Sequence, residues 1–286
     1  MGRMGPKLFP LLRTHSGRTL AFLACWLLLQ LSCSPPADPG RPAPSAPVLS
    51  VEAPSPGNKI PELDQAPRTA PSNCPDDMVG LAGGSFTLGV DAPREIWESP
   101  TRLENIDAFC MDRFEFPGIR GTLPRAHVSW REAQKLCQQA GKRLCSGAEW
   151  GRACRGAERR RYSYSGPFQK NRCNTPFPDR GESISGIVPL APSGSFADCH
   201  SPEGIFDLDG NVSEWVADPF GPQYEGTPTY SPPELPLLPA QRPRTLRGGT
   251  MWMGSYGQSC TSRHGHSELE IYEDDGFRCC LTPATE

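Results

Sequence analysis

"VSWREAQKLCQQAGKRLCSGAEWGRACRG", residues 128–156, holds two helix starts, two helix stops and three cysteines. Ser129-Trp130-Arg131-Glu132 reads as a capping box, in which a serine hydroxyl and a glutamate three residues on satisfy each other's backbone donors. Ala133, Leu136, Cys137 and Ala140 then recur on one helical face, and Gly141 supplies the stop. Ser146-Gly147-Ala148-Glu149 repeats the signal ahead of Trp150, Ala153 and Cys154, with Gly156 as its end. Two short helices are predicted, each with a cysteine on its apolar side.

Working outward, "MVGLAGGSFTLG" (78–89) supplies two β-prone pieces with Gly83-Gly84 as the turn between them. Beyond the helices the chain runs through loops rich in Gly, Pro, Asn and Asp with only brief strands. The predicted class is α+β with a large irregular fraction. So much loop needs covalent staples or ions to stay ordered.

The whole chain of 286 residues has a formal net charge of −3 with mixed signs, which gives no basic field for nucleic acid. Ten of its twelve cysteines follow residue 73, an even set able to close five bridges and suited to an oxidising compartment. No C-x-x-C pair is present to suggest a zinc ribbon. At the amino end, Arg3, Lys7, Arg13 and Arg18 precede the apolar run "LAFLACWLLLQL" (20–31), too short for a comfortable membrane span. Leu31-Ser32-Cys33 resembles a bacterial lipoprotein cleavage box, with Gln30 where an aliphatic residue is usual. Residues 1–33 are therefore read as a secretion leader with Cys33 as the lipidation site. That places the protein across the inner membrane, anchored in the bacterial cell envelope. Residues 34–73, dominated by Pro, Ala and Ser, read as a disordered tether, and residues 74–286 as one globular domain.

Five motifs carry a resemblance across residues 75–281: "MVGLAGGSFTLG", "VSWREAQKLCQQAGKRLCSGAEWGRACRG", "GIFDLDGNVSEW" (204–215), "RGGT" (247–250) and "DGFRC" (275–279). In order and approximate spacing they resemble the formylglycine-generating enzyme family, also called sulfatase-modifying factors. The resemblance implies a C-type-lectin-like fold, often calcium-bound. In active members it implies copper-dependent oxidation of a sulfatase cysteine to formylglycine. It also implies two bridges, Cys137–Cys279 and Cys154–Cys260, each tying a helix to the carboxy-terminal hairpin. The six remaining cysteines are assigned as Cys74–Cys110, Cys173–Cys199 and Cys145–Cys280, with the adjacent Cys279 and Cys280 able to exchange roles.

Calcium follows from residues as well as resemblance. "DLDGNVSEW" (207–215) concentrates Asp207, Asp209, Asn211 and Glu214 around Gly210, hard oxygen donors that suit Ca²⁺ but lack EF-hand spacing. By resemblance Asp207 and Glu214 would bind through side chains, and Gly210 and Val212 through carbonyls. A second ion would use Asn174, Thr175, Glu182 and Ile184. Asn211-Val212-Ser213 matches a glycosylation sequon, read as accidental beside Trp215.

Active members hold Cu(I) between two thiolates that follow the double glycine, because a soft ion prefers sulfur. Residues 250–257 contain no cysteine; Ser255 stands where one thiolate belongs, and Cys260 is assigned to a bridge. Copper is therefore not expected. Met251, Met253, His264, His266 and Glu268 offer other donors, and His264 and His266 share one face of an extended strand. Two histidines at this spacing lack a recognisable third ligand and are read as hydrogen-bonded residues near a pocket. Thr250, Ser255, His264 and His266 are the catalytic candidates. The leading functional reading is a calcium-stabilised, non-oxidase binding or accessory module for a protein, peptide or glycan. The alternative is an oxidoreductase of this family, or a non-haem-iron relative, acting on a protein or peptide thiol.

Overall fold

Brief apolar segments separated by turn residues form ten strands and two helices among the residues described by the computed structural model: 69–91, 93, 98–175, 189–221, 243–249 and 258–284. The leader, Cys33 and most of the tether lie outside these residues. No helix among the described residues is long and apolar enough to cross a membrane.

The strands are β1 (Met78–Leu81), β2 (Gly84–Leu88), β3 (Arg102–Ile106), β4 (Phe109–Asp112), β5 (Arg143–Leu144), β6 (Ser213–Pro219), β7 (Pro243–Arg247), β8 (Arg263–Ser267), β9 (Asp275–Phe277) and β10 (Cys279–Leu281). One antiparallel sheet runs β1-β4-β10-β5, a second pairs β2 with β3, and a third runs β8-β7-β6-β9. In the third sheet β6 and β9 are parallel, with Trp215 opposite Phe277. Gly83-Gly84 does not close a hairpin; the chain crosses there from the first sheet to the second. A Cβ at Gly83 would lie 2.6 Å from the Ala108 nitrogen and the Ile106 oxygen, so only glycine fits this crossing.

The helices α1 (Trp130–Gln139) and α2 (Gly147–Arg155) begin at Ser129 and Ser146. At α2 the capping box is complete: Ser146 Oγ accepts from Glu149 N, and Glu149 accepts from Ser146 N. At α1 it is half formed. Ser129 Oγ accepts from Glu132 N, but the Glu132 carboxylate turns to Arg125 at 3.0 Å, an ion-pair alternative that a local pattern does not reveal. Helix α1 buries Trp130, Ala133 and Cys137 against the third sheet's Trp215, Leu246 and Phe277. The contact is locked reciprocally: the Trp130 indole donates to Val216 O at 2.8 Å, and the Trp215 indole to Val128 O at 3.0 Å.

Each of the three apolar clusters contains a disulfide. Cys137–Cys279 lies with Trp215 and Phe277; Cys145–Cys280 and Cys154–Cys260 lie with Trp150, Leu208 and Phe109; Cys173–Cys199 lies with Tyr162 and Tyr164. Cys74–Cys110 ties the segment before β1 to β4. One detail departs from the expected layout. Cys279 sits in β10, which leaves the β7–β8 hairpin to join the first sheet, so Cys137–Cys279 ties α1 to that sheet. The chain changes sheets between Phe277 and Cys279 because Arg278 is drawn into the interior between them.

Loop-closure entropy ranks the bridges. Cys137–Cys279 closes 142 residues and Cys173–Cys199 closes 26. Replacing the first pair with alanine is expected to lower unfolding free energy by about 5 kcal/mol and the second by about 3.5 kcal/mol. Guanidinium unfolding of the two double variants checks this order; a larger loss at Cys173–Cys199 contradicts it.

Candidate functional site

The turn between Phe206 and β6 doubles back three times within five residues. Asp207, Gly210 and Asn211 all have positive φ, at 57°, 88° and 62°. At Gly210 a Cβ would also stand 2.5 Å from Thr175 Cγ2 and 2.8 Å from Asn174 O. Glycine is thus required both by conformation and by space. The turn is pinned from two sides: Gly210 N donates to Gly248 O, and Asn211 N to Asn174 O.

This backbone gathers carboxylates in the interior. Glu214 is held by Arg278, whose Nε and Nη2 donate to its two oxygens at 2.7 and 2.6 Å, and by the Trp150 indole at 2.8 Å. Arg278 also donates to the carbonyls of Asp112 and Phe206, so it braces three segments at once. Asp207 accepts from Gly194 N at 2.6 Å. Glu115, not singled out in the sequence, completes the group: it accepts from Ser193 Oγ and Asn211 Nδ2, both at 2.7–2.8 Å. Asn211 is buried with its amide committed to Glu115, Asn174 and Ala191, which removes it as a glycan acceptor.

Three carboxylates therefore share one guanidinium. Burial, then repulsion from Asp207 and Glu214, pushes Glu115 well above the usual carboxylate range. Burial likewise raises Asp207 to about 6, although its bond from Gly194 opposes the shift. The cluster, fully ionised, carries two negative charges in excess. Charge and donor hardness fit a divalent calcium ion. Glu214 fits only in part: three N–H donors already use most of its roughly four lone-pair positions. For the second expected set, Asn174 Nδ2 donates to Asn211 and Pro189 O, while Thr175 Oγ1 is buried without a hydrogen-bond partner. Glu182 and Ile184 lie outside the described residues.

Within this turn, Asp209 points at the Cys154–Cys260 bridge; one carboxylate oxygen accepts from Ser163 N at 2.6 Å and the other has no hydrogen-bond partner. Burial raises it to about 7. Cys260 also borders a small cavity of about 40 Å³, lined by Arg102, Arg155, Arg247 and Arg263, with Asp218 the one acid in its wall among the described residues. Arg155 is anchored to Gly89 O and Arg247 to Cys260 O, and Asp218 accepts from Gly147 N at the start of α2. This positive lining suits a small anionic group. No single motif announced it, because its arginines come from four separate segments.

Of the catalytic candidates, Thr250 and Ser255 lie outside the described residues. His264 and His266 occupy alternate positions of β8 and their rings lie 5.2 Å apart. Burial, helped by His266, pushes His264 down to about 3, and His266 Nδ1 meets Asp275 Oδ2 at 2.8 Å. Glu268 is taken by Arg131 and Arg244.

Fold and site together define a disulfide-stapled α+β domain built around a buried acidic turn. Residues 118–283 match the family model of the sulfatase-modifying factor enzyme 1-like domain, and the chain belongs to that family. It is 33% identical over 174 residues to a Mus musculus protein named inactive C-alpha-formylglycine-generating enzyme 2, covering 57% of this chain and 51% of that one. The chain thus spans about half the length of the inactive relatives it matches. It is 25% identical to the Bos taurus formylglycine-generating enzyme, over 86% of this chain and 84% of that one. The solved structure of PvdO from Pseudomonas aeruginosa shares the fold, with a TM-score of 0.51 at 23% identity over 76% of this chain and 98% of that one.

Asp209 gives the site a pH signature. Its folded value, about 7, lies above its unfolded value of 3.8, so the stability it contributes is full below about pH 4 and is lost as pH rises through 7. Replacing it by asparagine removes that dependence. Between pH 4 and pH 8 the D209N variant is expected to gain on the wild type by on the order of 3 kcal/mol. Parallel urea titrations at the two pH values measure this; a constant difference contradicts it.

Proposed function

We propose that this protein is a non-oxidase member of its family: a calcium-stabilised binding or accessory module for a protein, peptide or glycan. One observation carries the reading. No cysteine occurs from Thr250 to Gly257, and the nearest one, Cys260, is bonded to Cys154. Two anionic thiolates are what Cu(I) requires, and hydroxyl or thioether groups do not replace them. The likeness to relatives named as inactive supports the same conclusion.

The excess negative charge around Arg278 supports calcium as the stabiliser. Asp207 and the carbonyls of Gly210 and Val212 would hold it, with Glu214 sharing its remaining capacity between the ion and Arg278. A bound ion would supply the charge balance that burial denies this cluster. The arginine-lined cavity supports recognition through an acidic group on the ligand, with Arg247 bonded to the Cys260 carbonyl at its wall. On this reading the leader delivers the chain to the bacterial envelope, lipid on Cys33 anchors it, and the proline-rich tether holds the domain off the membrane.

The test uses the disulfide-intact chain with a cysteine-bearing sulfatase peptide under air, with copper or iron supplied. No formylglycine product is expected, whereas turnover would establish the oxidase alternative. In the same preparation, calcium at about 100 times its Kd is expected to add about 2.7 kcal/mol of stability. The D207N variant is expected to lose most of that gain; an unchanged gain in the variant would move calcium away from this turn.

A further inference from the structure

We propose that His264, His266 and Asp275 form a binding site for a divalent transition ion of the zinc class, separate from the acidic turn. Two histidines at i, i+2 lack a third ligand in the sequence. The fold supplies one. β8 and β9 are opposite edges of the third sheet, yet His266 Nδ1 and Asp275 Oδ2 stand 2.8 Å apart, and one ligand atom from each of the three residues lies within 4.8 Å of the others.

Two atoms at this place are chemically unfinished. Asp275 has no exposed surface; its Oδ2 meets His266, but its Oδ1 is buried without a hydrogen-bond partner. His264 Nδ1 is buried and unpartnered as well. Each such group costs roughly 1–3 kcal/mol when left unsatisfied. A structural His266–Asp275 pair alone would account for Oδ2 and would leave both orphans. An ion bound among the three side chains satisfies them together.

The donor set selects the ion. Two imidazoles and one carboxylate match zinc, iron(II), cobalt(II) or nickel(II), whereas calcium takes six to eight oxygens. Three protein ligands also leave positions open to water, and the His266 side chain is 26% exposed, which gives the ion a route from solvent. The carboxylates of Asp274 and Glu270 act on Asp275 and add negative potential. Glu268, two residues after His266 in sequence, is held by Arg131 at 2.6 Å and Arg244 at 3.3 Å and does not join the set. The Tyr272 ring, 4.2 Å from His266, covers one side of the site, and the Trp215 ring stands edge-on at 6.1 Å. The site goes beyond the calcium-stabilised module and stands or falls independently of it.

Cobalt(II) titration of the tag-free, disulfide-intact full chain, after removal of metals with chelator, tests this directly. One cobalt per chain with visible ligand-field bands is expected, displaced by zinc(II) and untouched by millimolar calcium. The H264A and D275N variants should each weaken binding by at least the roughly 10–100-fold typical of losing a second-shell partner. D275N keeps an acceptor for His266, and its near-ultraviolet circular dichroism reports whether the fold is intact. Absence of saturable cobalt uptake, displacement by calcium, or unchanged affinity in a folded D275N variant would overturn the proposal.

Discussion

The interaction on which the rest of the molecule depends is the buried pair of Arg278 and Glu214, both 1% exposed and joined through two short hydrogen bonds. Arg278 lies between β9 and β10, and its guanidinium reaches β6, the end of β4 and Phe206 at the start of the acidic turn. It therefore connects the first sheet to the third at the point where the chain passes between them. Such a pair contributes little against an apolar alternative of equal size, but removing one partner leaves a stranded charge and costs about 3–5 kcal/mol. The indole of Trp150 donates a third hydrogen bond to Glu214, which places α2 in the same network.

From that pair the architecture follows outward. The turn of residues 207–211 passes through left-handed conformations that send Asp207 toward Gly194 N and Asp209 toward Ser163 N while its backbone meets Asn174 and Gly248. The helices dock on either side through Trp130 and Trp150, and each is bonded by a disulfide to the carboxy-terminal third of the chain. The scaffold is overdetermined by covalent bonds, which suits a domain with little regular secondary structure. The same bonding withdraws Cys260 from chemistry. One arrangement of cysteines thus fixes both helices to the scaffold and holds Cys260 in a bridge.

Much of this was legible in the chain. Helix starts at Ser129 and Ser146 are local capping signals, and structure begins where the serines stand. The family resemblance carried the fold, which the match over residues 118–283 shows. What stayed hidden depends on long-range contacts. Glu132 abandons its cap for Arg125, and Glu115 joins an acidic cluster from nearly a hundred residues away. Asp275 sits in an ordinary acidic run, "EDDGF", and only parallel pairing of β9 with β6 brings it beside the histidines. The arginine-lined cavity is likewise a property of assembly, with one residue from β3, one from α2, one from β7 and one from β8.

The central claim is that the family scaffold persists while its reactive sulfur does not. Mass spectrometry of the unreduced, alkylated protein addresses it most directly. A peptide pair linked through Cys154 and Cys260, with no alkylation at Cys260 in the folded chain, is the predicted result. Alkylated Cys260 beside a reduced Cys154 in the native protein would contradict it, because a thiol would then stand free next to the arginine-lined cavity.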